Sequence, residues 1–214
     1  MKMLMKCGLL WSGFFFLWAS CVAEQPSSKT VAPTVKKQFY LAKKVLIVYL
    51  SRTKNTEAVA KIIHKKIGGE LIALELVSPY PENYQSIVDQ VADENARNYL
   101  PPLKTKIDNI QAYDVVFLGF PTWGMQLPPP MKSFLHAHDL SGKTVVPFNT
   151  HAGYGIGSSF DTLKKLCPKS NVLEGFSTSG GKEKEKILLV IEGRKEKEVR
   201  AEIDDWLKKI GLSN

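Results

Sequence analysis

Two hydrophobic periods alternate along the chain. Residues 45–50 and 115–120 are short, nearly unbroken apolar runs, the form taken by strands buried on both faces. Residues 71–77, 144–148 and 172–178 are three further strand candidates. Between the strands, apolar residues recur at helical spacing. Val59, Ile62, Ile63 and Ile67 share one face. Tyr84, Ile87, Val88, Val91 and Ala92 form a second stripe, after the turn signal Ser78-Pro79-Tyr80-Pro81. A helix over 131–138 follows three prolines, which suit a helix start, and another spans 158–166. The last helix is the clearest, with Val199, Ile203, Trp206, Leu207 and Ile210 on one side. This alternation predicts an α/β fold: a doubly wound, five-stranded parallel sheet with helices on both faces. Right-handed crossovers then bring every strand-to-helix loop to the C-terminal edge of the sheet, where ligands bind in such folds. Residues 186–193 (KILLVIEG) read as an extra strand that this scheme has no place for.

The first 23 residues have a different pattern. Lys2 and Lys6 precede an uncharged apolar stretch over 7–18, too short to span a membrane comfortably, and small residues follow. This order reads as an export signal. Two cleavage sites compete: before Glu24, with Cys21 and Ala23 at the small positions, or before Cys21, which would then carry a lipid. Residues 24–42 mix Pro, Ser, Thr and Lys without periodicity and read as a linker. The folded domain is expected over 43–212. Cys7 and Cys21 fall in the leader, so Cys167 has no partner if cleavage follows Ala23 and reads as a buried spectator thiol.

The chain has 214 residues and a net charge of +8, and that basic balance raises the question of an anionic partner. The cations are dispersed and interleaved with Glu, as in KEKEK (182–186), which reads as a solvated surface. Zinc-finger spacing and aromatic-basic RNA motifs are missing, so no nucleic acid is expected. Membrane contact is expected only through a lipid on Cys21.

Three loops carry the candidate chemistry. The first, SRTKNT over 51–56, places Ser51, Thr53, Asn55 and Thr56 beside a helix N-terminus, where free amides and the helix dipole favour a phosphate. The same residue types also simply cap helices. The loop matches neither GxxxxGK[ST] nor GxGxxG, which argues against a nucleoside triphosphatase and an ordinary dinucleotide fold. In the second loop, Pro121-Thr122-Trp123-Gly124, the indole offers a flat face to an aromatic ring or else covers the core. The third runs from Thr150 and His151 through Gly153, Tyr154, Gly155 and Gly157. Its glycines allow close backbone approach, Tyr154 offers a second ring, and His151 is either a hydrogen-bonding partner or a loop residue without a role.

With these loops in this order the chain resembles the flavodoxins. YLSRTKNTE (49–57) is similar to their FMN phosphate loop, commonly S-x-T-G-N-T. GFPTWG (119–124) and NTHAGYGIG (149–157) resemble their two ring-binding loops, and YDVVFLG (113–119) and WLKKIGL (206–212) also match. The resemblance covers about four-fifths of the chain. It implies FMN as cofactor, with Ser51, Arg52, Thr53, Lys54, Asn55 and Thr56 at the phosphate. Pro121, Thr122, Trp123, Gly124, Thr150, His151, Gly153, Tyr154 and Gly155 would lie around the ring. It also implies an electron carrier between redox proteins more than an independent enzyme. The alternatives are an FMN-dependent NAD(P)H or quinone oxidoreductase and a flavin-free binding module on the same fold. Three features depart from the pattern. Lys54 replaces the usual Gly, Arg52 adds a cation to a loop usually uncharged, and the chain is basic where flavodoxins are acidic. Together with the leader, the expectation is an exported, periplasmic or lipid-anchored flavodoxin-like protein.

Overall fold

The computed structural model describes residues 43–213. The export signal, its cleavage sites and the linker over 24–42 lie outside these residues. The strands are β1 (Val45–Tyr49), β2 (Glu70–Ala73), β3 (Val115–Pro121), β4 (Thr144–His151), β5 (Asn171–Val172) and β6 (Phe176–Ser179). The helices are α1 (Asn55–Ile67), α2 (Tyr84–Ala96), α3 (Pro129–Ala137), α4 (Ser159–Leu166) and α5 (Gly193–Lys209).

The six strands pair in parallel, in the order β2-β1-β3-β4-β5, and β6 also pairs with β4. Thr144 and Val145 of β4 pair with β5, and Phe148 to His151 pair with β6. The two short segments therefore fill one strand position, interrupted at Leu173–Gly175. The fifth strand expected over 172–178 is this interrupted pair.

Alternation along the central strands splits the core into two layers. Leu46, Val48, Val116, Leu118 and Phe120 pack with Met131, Phe134 and Leu163 on the face of α3 and α4. Ile47, Phe117, Val146 and Phe148 pack with Val59, Ile63, Ile203 and Trp206 on the face of α1 and α5. Gly119 is required by the second layer, because a Cβ there would fall 2.0 Å from the Phe148 ring.

Two expectations are corrected. Residues 186–193 form no strand. A single 3-10 turn, Glu183–Glu185, precedes an irregular stretch in which only Ile191 is buried. The expected apolar face of α2 is in fact two faces. Ile87 and Val91 are buried together with Glu94, whereas Tyr84, Val88 and Ala92 are exposed. Cys167 is buried and unpaired, and burial pushes its thiol pKa up to about 11. It is therefore protonated and unreactive at neutral pH, as a spectator should be.

Candidate functional site

The loops after β1, β3 and β4 converge at one cleft of about 720 Å³. Its lining includes Arg52, Thr53, Asn55 and Thr56 from the first loop, Pro121 to Gly124 from the second, and Thr150, His151 and Tyr154 from the third. Parallel pairing explains the convergence. β1, β3 and β4 lie side by side and end at the same edge. Two further walls were not expected: Gly180 to Glu185, and the α2 residues Tyr84, Ile87, Val88, Val91, Ala92, Asn95 and Ala96.

At the first loop the amides that open α1 are left unpaired among the described residues. Lys54 sits at the N-cap of α1 with φ 63°, and its own side chain makes no capping hydrogen bond. Among the described residues, only Glu57 of the first-turn amides finds a partner, the Ser51 hydroxyl at 3.2 Å. The amides of Asn55 and Thr56 are left free for a ligand. The left-handed geometry at Lys54 costs a side-chain-bearing residue about 1 kcal/mol relative to glycine. Its ammonium makes no ion pair among the described residues, although it stands at the positive end of the helix dipole. A bound anion would relieve that arrangement.

The hydroxyls keep protons to give. Ser51 Oγ accepts from Glu57, and Thr53 Oγ1 accepts from Asn55 Nδ2 at 2.9 Å. Thr56 Oγ1 and Thr150 Oγ1 lie 2.8 Å apart, so one donates to the other and one proton remains.

Two expected phosphate donors spend their side chains elsewhere. Arg52 Nε donates to both Glu183 oxygens at 2.8 Å, and its outer nitrogens donate to the Pro81 and Glu82 carbonyls at 2.9 and 2.7 Å. The Arg52 guanidinium thus ties residues 81–82 to the 3-10 turn. Asn55, only 2% exposed, donates to the Leu188 carbonyl at 2.6 Å and accepts from the Val190 and Ile191 amides at 3.0 and 3.3 Å. Of its donors, only the backbone amide is left unpaired among the described residues. The stretch it holds needs glycine at position 181, where a Cβ would fall 1.9 Å from the Leu188 carbonyl oxygen.

At the ring loops, Trp123 is half-buried and packs on the core layer under α3. Tyr80 meets it edge-on. Asn149, fully buried, donates to the Phe120 carbonyl and Thr122 Oγ1, both at 3.0 Å. The Thr122 amide donates to the Thr150 carbonyl at 2.9 Å. Asn149 therefore locks the second loop to the third; its place as the first polar residue after a buried strand run was the available signal. Gly157 lets the two loops touch, since a Cβ there would lie 2.1 Å from the Met125 carbonyl oxygen, which accepts from the Ser158 amide at 3.0 Å.

His151 Nδ1 accepts from the Gly153 amide at 3.0 Å, and burial lowers the imidazole pKa. The ring is thus neutral at pH 7, with its proton on Nε2. Tyr154 is 81% exposed and stands at the cleft mouth without packing. Gly153 and Gly155 both have positive φ. Among the described residues there is no group of His, Cys, Asp or Glu able to hold a metal ion.

A family model described as Flavodoxin matches residues 44–193. The chain is similar to the crystal structure of a candidate flavoprotein from Bacteroides eggerthii DSM 20697, with 33% identity, 80% of this chain and 99% of that chain covered, and a TM-score of 0.63. A second candidate flavoprotein, from Bacteroides uniformis ATCC 8492, shares the fold at 23% identity, with 78% and 98% covered and a TM-score of 0.63. A flavoprotein from Lactobacillus acidophilus NCFM, crystallised in complex with FMN, is 25% identical, with 64% of this chain and 93% of that chain covered and a TM-score of 0.56. No curated protein matches the chain significantly.

Proposed function

The chain belongs to the flavodoxin family, and from that premise we propose that it binds FMN in the cleft and carries electrons between protein partners. The observation that carries this reading is the N-terminus of α1 in the same cleft as Trp123. One end supplies free amides and the Thr53 and Thr56 hydroxyls, with the Lys54 ammonium on the same loop but outside the cleft lining, which suit a phosphate dianion. The other supplies a flat indole, which suits an aromatic ring. The cleft volume lies in the range of small-molecule cofactor sites.

FMN would supply the redox chemistry; the chain's residues would bind, orient and shield it. The amides of Asn55 and Thr56 would hold the phosphate, with the hydroxyls of Ser51, Thr53 and Thr56. Trp123 would cover one face of the ring. The Thr122 to Gly124 backbone would lie along its edge, held by Asn149. Tyr154, free of packing, would close over the other face.

Export is part of the proposal and rests on the charged, then apolar, then small-residue order from Lys2 to Ala23. An exported carrier would meet its partners outside the cytoplasm, in the periplasm or at the membrane if Cys21 is lipidated.

A second reading, an FMN-dependent oxidoreductase of small acceptors, has one observation in its favour. Tyr84, Val88, Ala92 and Ala96 recur every fourth residue along α2 and all line the cleft. That exposed stripe would suit an apolar acceptor beside the ring. Steady-state NADH oxidation by the flavin-loaded protein, with and without a soluble quinone, separates the two. A carrier turns over neither at an appreciable rate.

A further inference from the structure

Tyr80 packs against the Trp123 indole. The two rings meet edge-on, with centroids 5.3 Å apart and planes at 87°. Little else holds the outer side of the indole: Gly124, Met125 and Gln126 are exposed, and the hairpin there is closed by the Gln126 amide donating to the Trp123 carbonyl at 3.0 Å.

Tyr80 is itself tied down from two directions. Its hydroxyl donates to Glu94 on α2. The carbonyls of the next two residues, Pro81 and Glu82, accept from Arg52. Desolvation, and then the Glu94 carboxylate, raise the phenol pKa well above its usual value, so the hydroxyl stays a donor.

Glu94 is the unusual member. It is only 2% exposed. Its second oxygen accepts from Gln90 Nε2 at 2.8 Å, and among the described residues no cation lies within ion-pair distance. Burying a carboxylate on neutral donors is expensive, and an apolar side chain would serve the packing of α2 better. What the carboxylate provides is a fixed acceptor for one hydroxyl, that of Tyr80.

We propose that Tyr80, anchored by Glu94, is a positioning residue that sets the orientation of Trp123 and, through it, of the bound flavin ring. The proposal rests on the FMN reading above. The same short loop reaches the first loop through Arg52, so both ends of the cleft are referenced to residues 80–82.

The test compares full-length wild type with Tyr80→Leu, Tyr80→Phe and Glu94→Gln. Each is titrated with riboflavin and with FMN by flavin fluorescence, and the visible circular dichroism of the bound flavin is recorded at saturation. Tyr80→Leu removes the edge contact and should weaken both flavins by the same factor, about two- to tenfold, with an altered dichroism band. Tyr80→Phe keeps the ring and loses the anchor, so it should show the altered band with a smaller loss. Glu94→Gln still offers Tyr80 an acceptor and should keep both close to wild type. Unchanged affinity and dichroism in Tyr80→Leu, with only a lower melting temperature, would overturn the proposal. So would a loss for FMN with riboflavin unaffected. A wild type that binds neither flavin would sink the FMN reading, and this proposal with it.

Discussion

The Asn55 carboxamide pairs with the main chain around Leu188 as a peptide group would. It donates to the Leu188 carbonyl at 2.6 Å, and its oxygen receives the Val190 amide at 3.0 Å. An asparagine that the motif assigns to a phosphate therefore joins the phosphate loop to the segment leading into α5. The geometry of this loop and the order of that segment are coupled through one side chain.

Asn55→Ala should leave the part-buried Leu188 carbonyl and Val190 amide and the buried Ile191 amide without this partner. The expected loss of stability is about 2–4 kcal/mol, read by denaturant unfolding of the protein without flavin. A loss below about 0.5 kcal/mol would show that water replaces the side chain without penalty.

Lys54→Gly has two opposed effects. Removing the left-handed strain should stabilise the fold by about 1 kcal/mol. Removing the ammonium should weaken FMN, more at low than at high ionic strength, and leave riboflavin nearly indifferent. Titrations of both flavins at two salt concentrations test this. Equal effects on both would place Lys54 in the fold and not at the phosphate.

Arg52→Lys should behave differently from Lys54→Gly, although both residues are cations of one loop. A lysine cannot reproduce the fork that bridges Glu183, Pro81 and Glu82. The ion pair is about four-fifths buried on both sides. A stability loss of about 1–3 kcal/mol is expected, with riboflavin and FMN weakened alike and little salt dependence. A salt-dependent loss confined to FMN would instead put the guanidinium on the phosphate.

His151 sets a pH dependence. Its folded pKa is lowered below the ordinary 6.5 by burial, so the unfolded chain binds the proton more readily. Stability should be full above about pH 6.5 and should fall as the pH drops below it. Protonation also removes the acceptor that holds the Gly153 amide, so flavin affinity should fall in the same window. His151→Gln should flatten both profiles below about pH 6.5. An unchanged slope would transfer the effect to His138, whose pKa is lowered as well.

Much of this was legible in the chain. The cores of β1, β3 and β4 are buried runs with one pattern each, and their burial agrees with it. The three loops follow from those strands. The α2 face was misjudged because Tyr84, Val88 and Ala92 carry apolar side chains that face the cleft, and hydrophobicity does not say which interior a residue serves. KILLVIEG has a strand's composition, but three of its main-chain groups pair with the Asn55 side chain and not with a neighbouring strand. The contacts made by Arg52, Tyr80 and Glu94 were hidden for a related reason. Their partners lie 131, 43 and 14 residues away, and no local spacing signals such contacts.

The most direct test is a titration of the flavin-free protein with FMN, following flavin fluorescence, on wild type and Trp123→Ala. The wild type should bind one FMN with strong quenching. Trp123→Ala should bind about 1–3 kcal/mol more weakly and quench less. A wild type that leaves FMN fluorescence unchanged at tens of micromolar protein, on the order of a weak site, would contradict the assignment of the cleft to FMN.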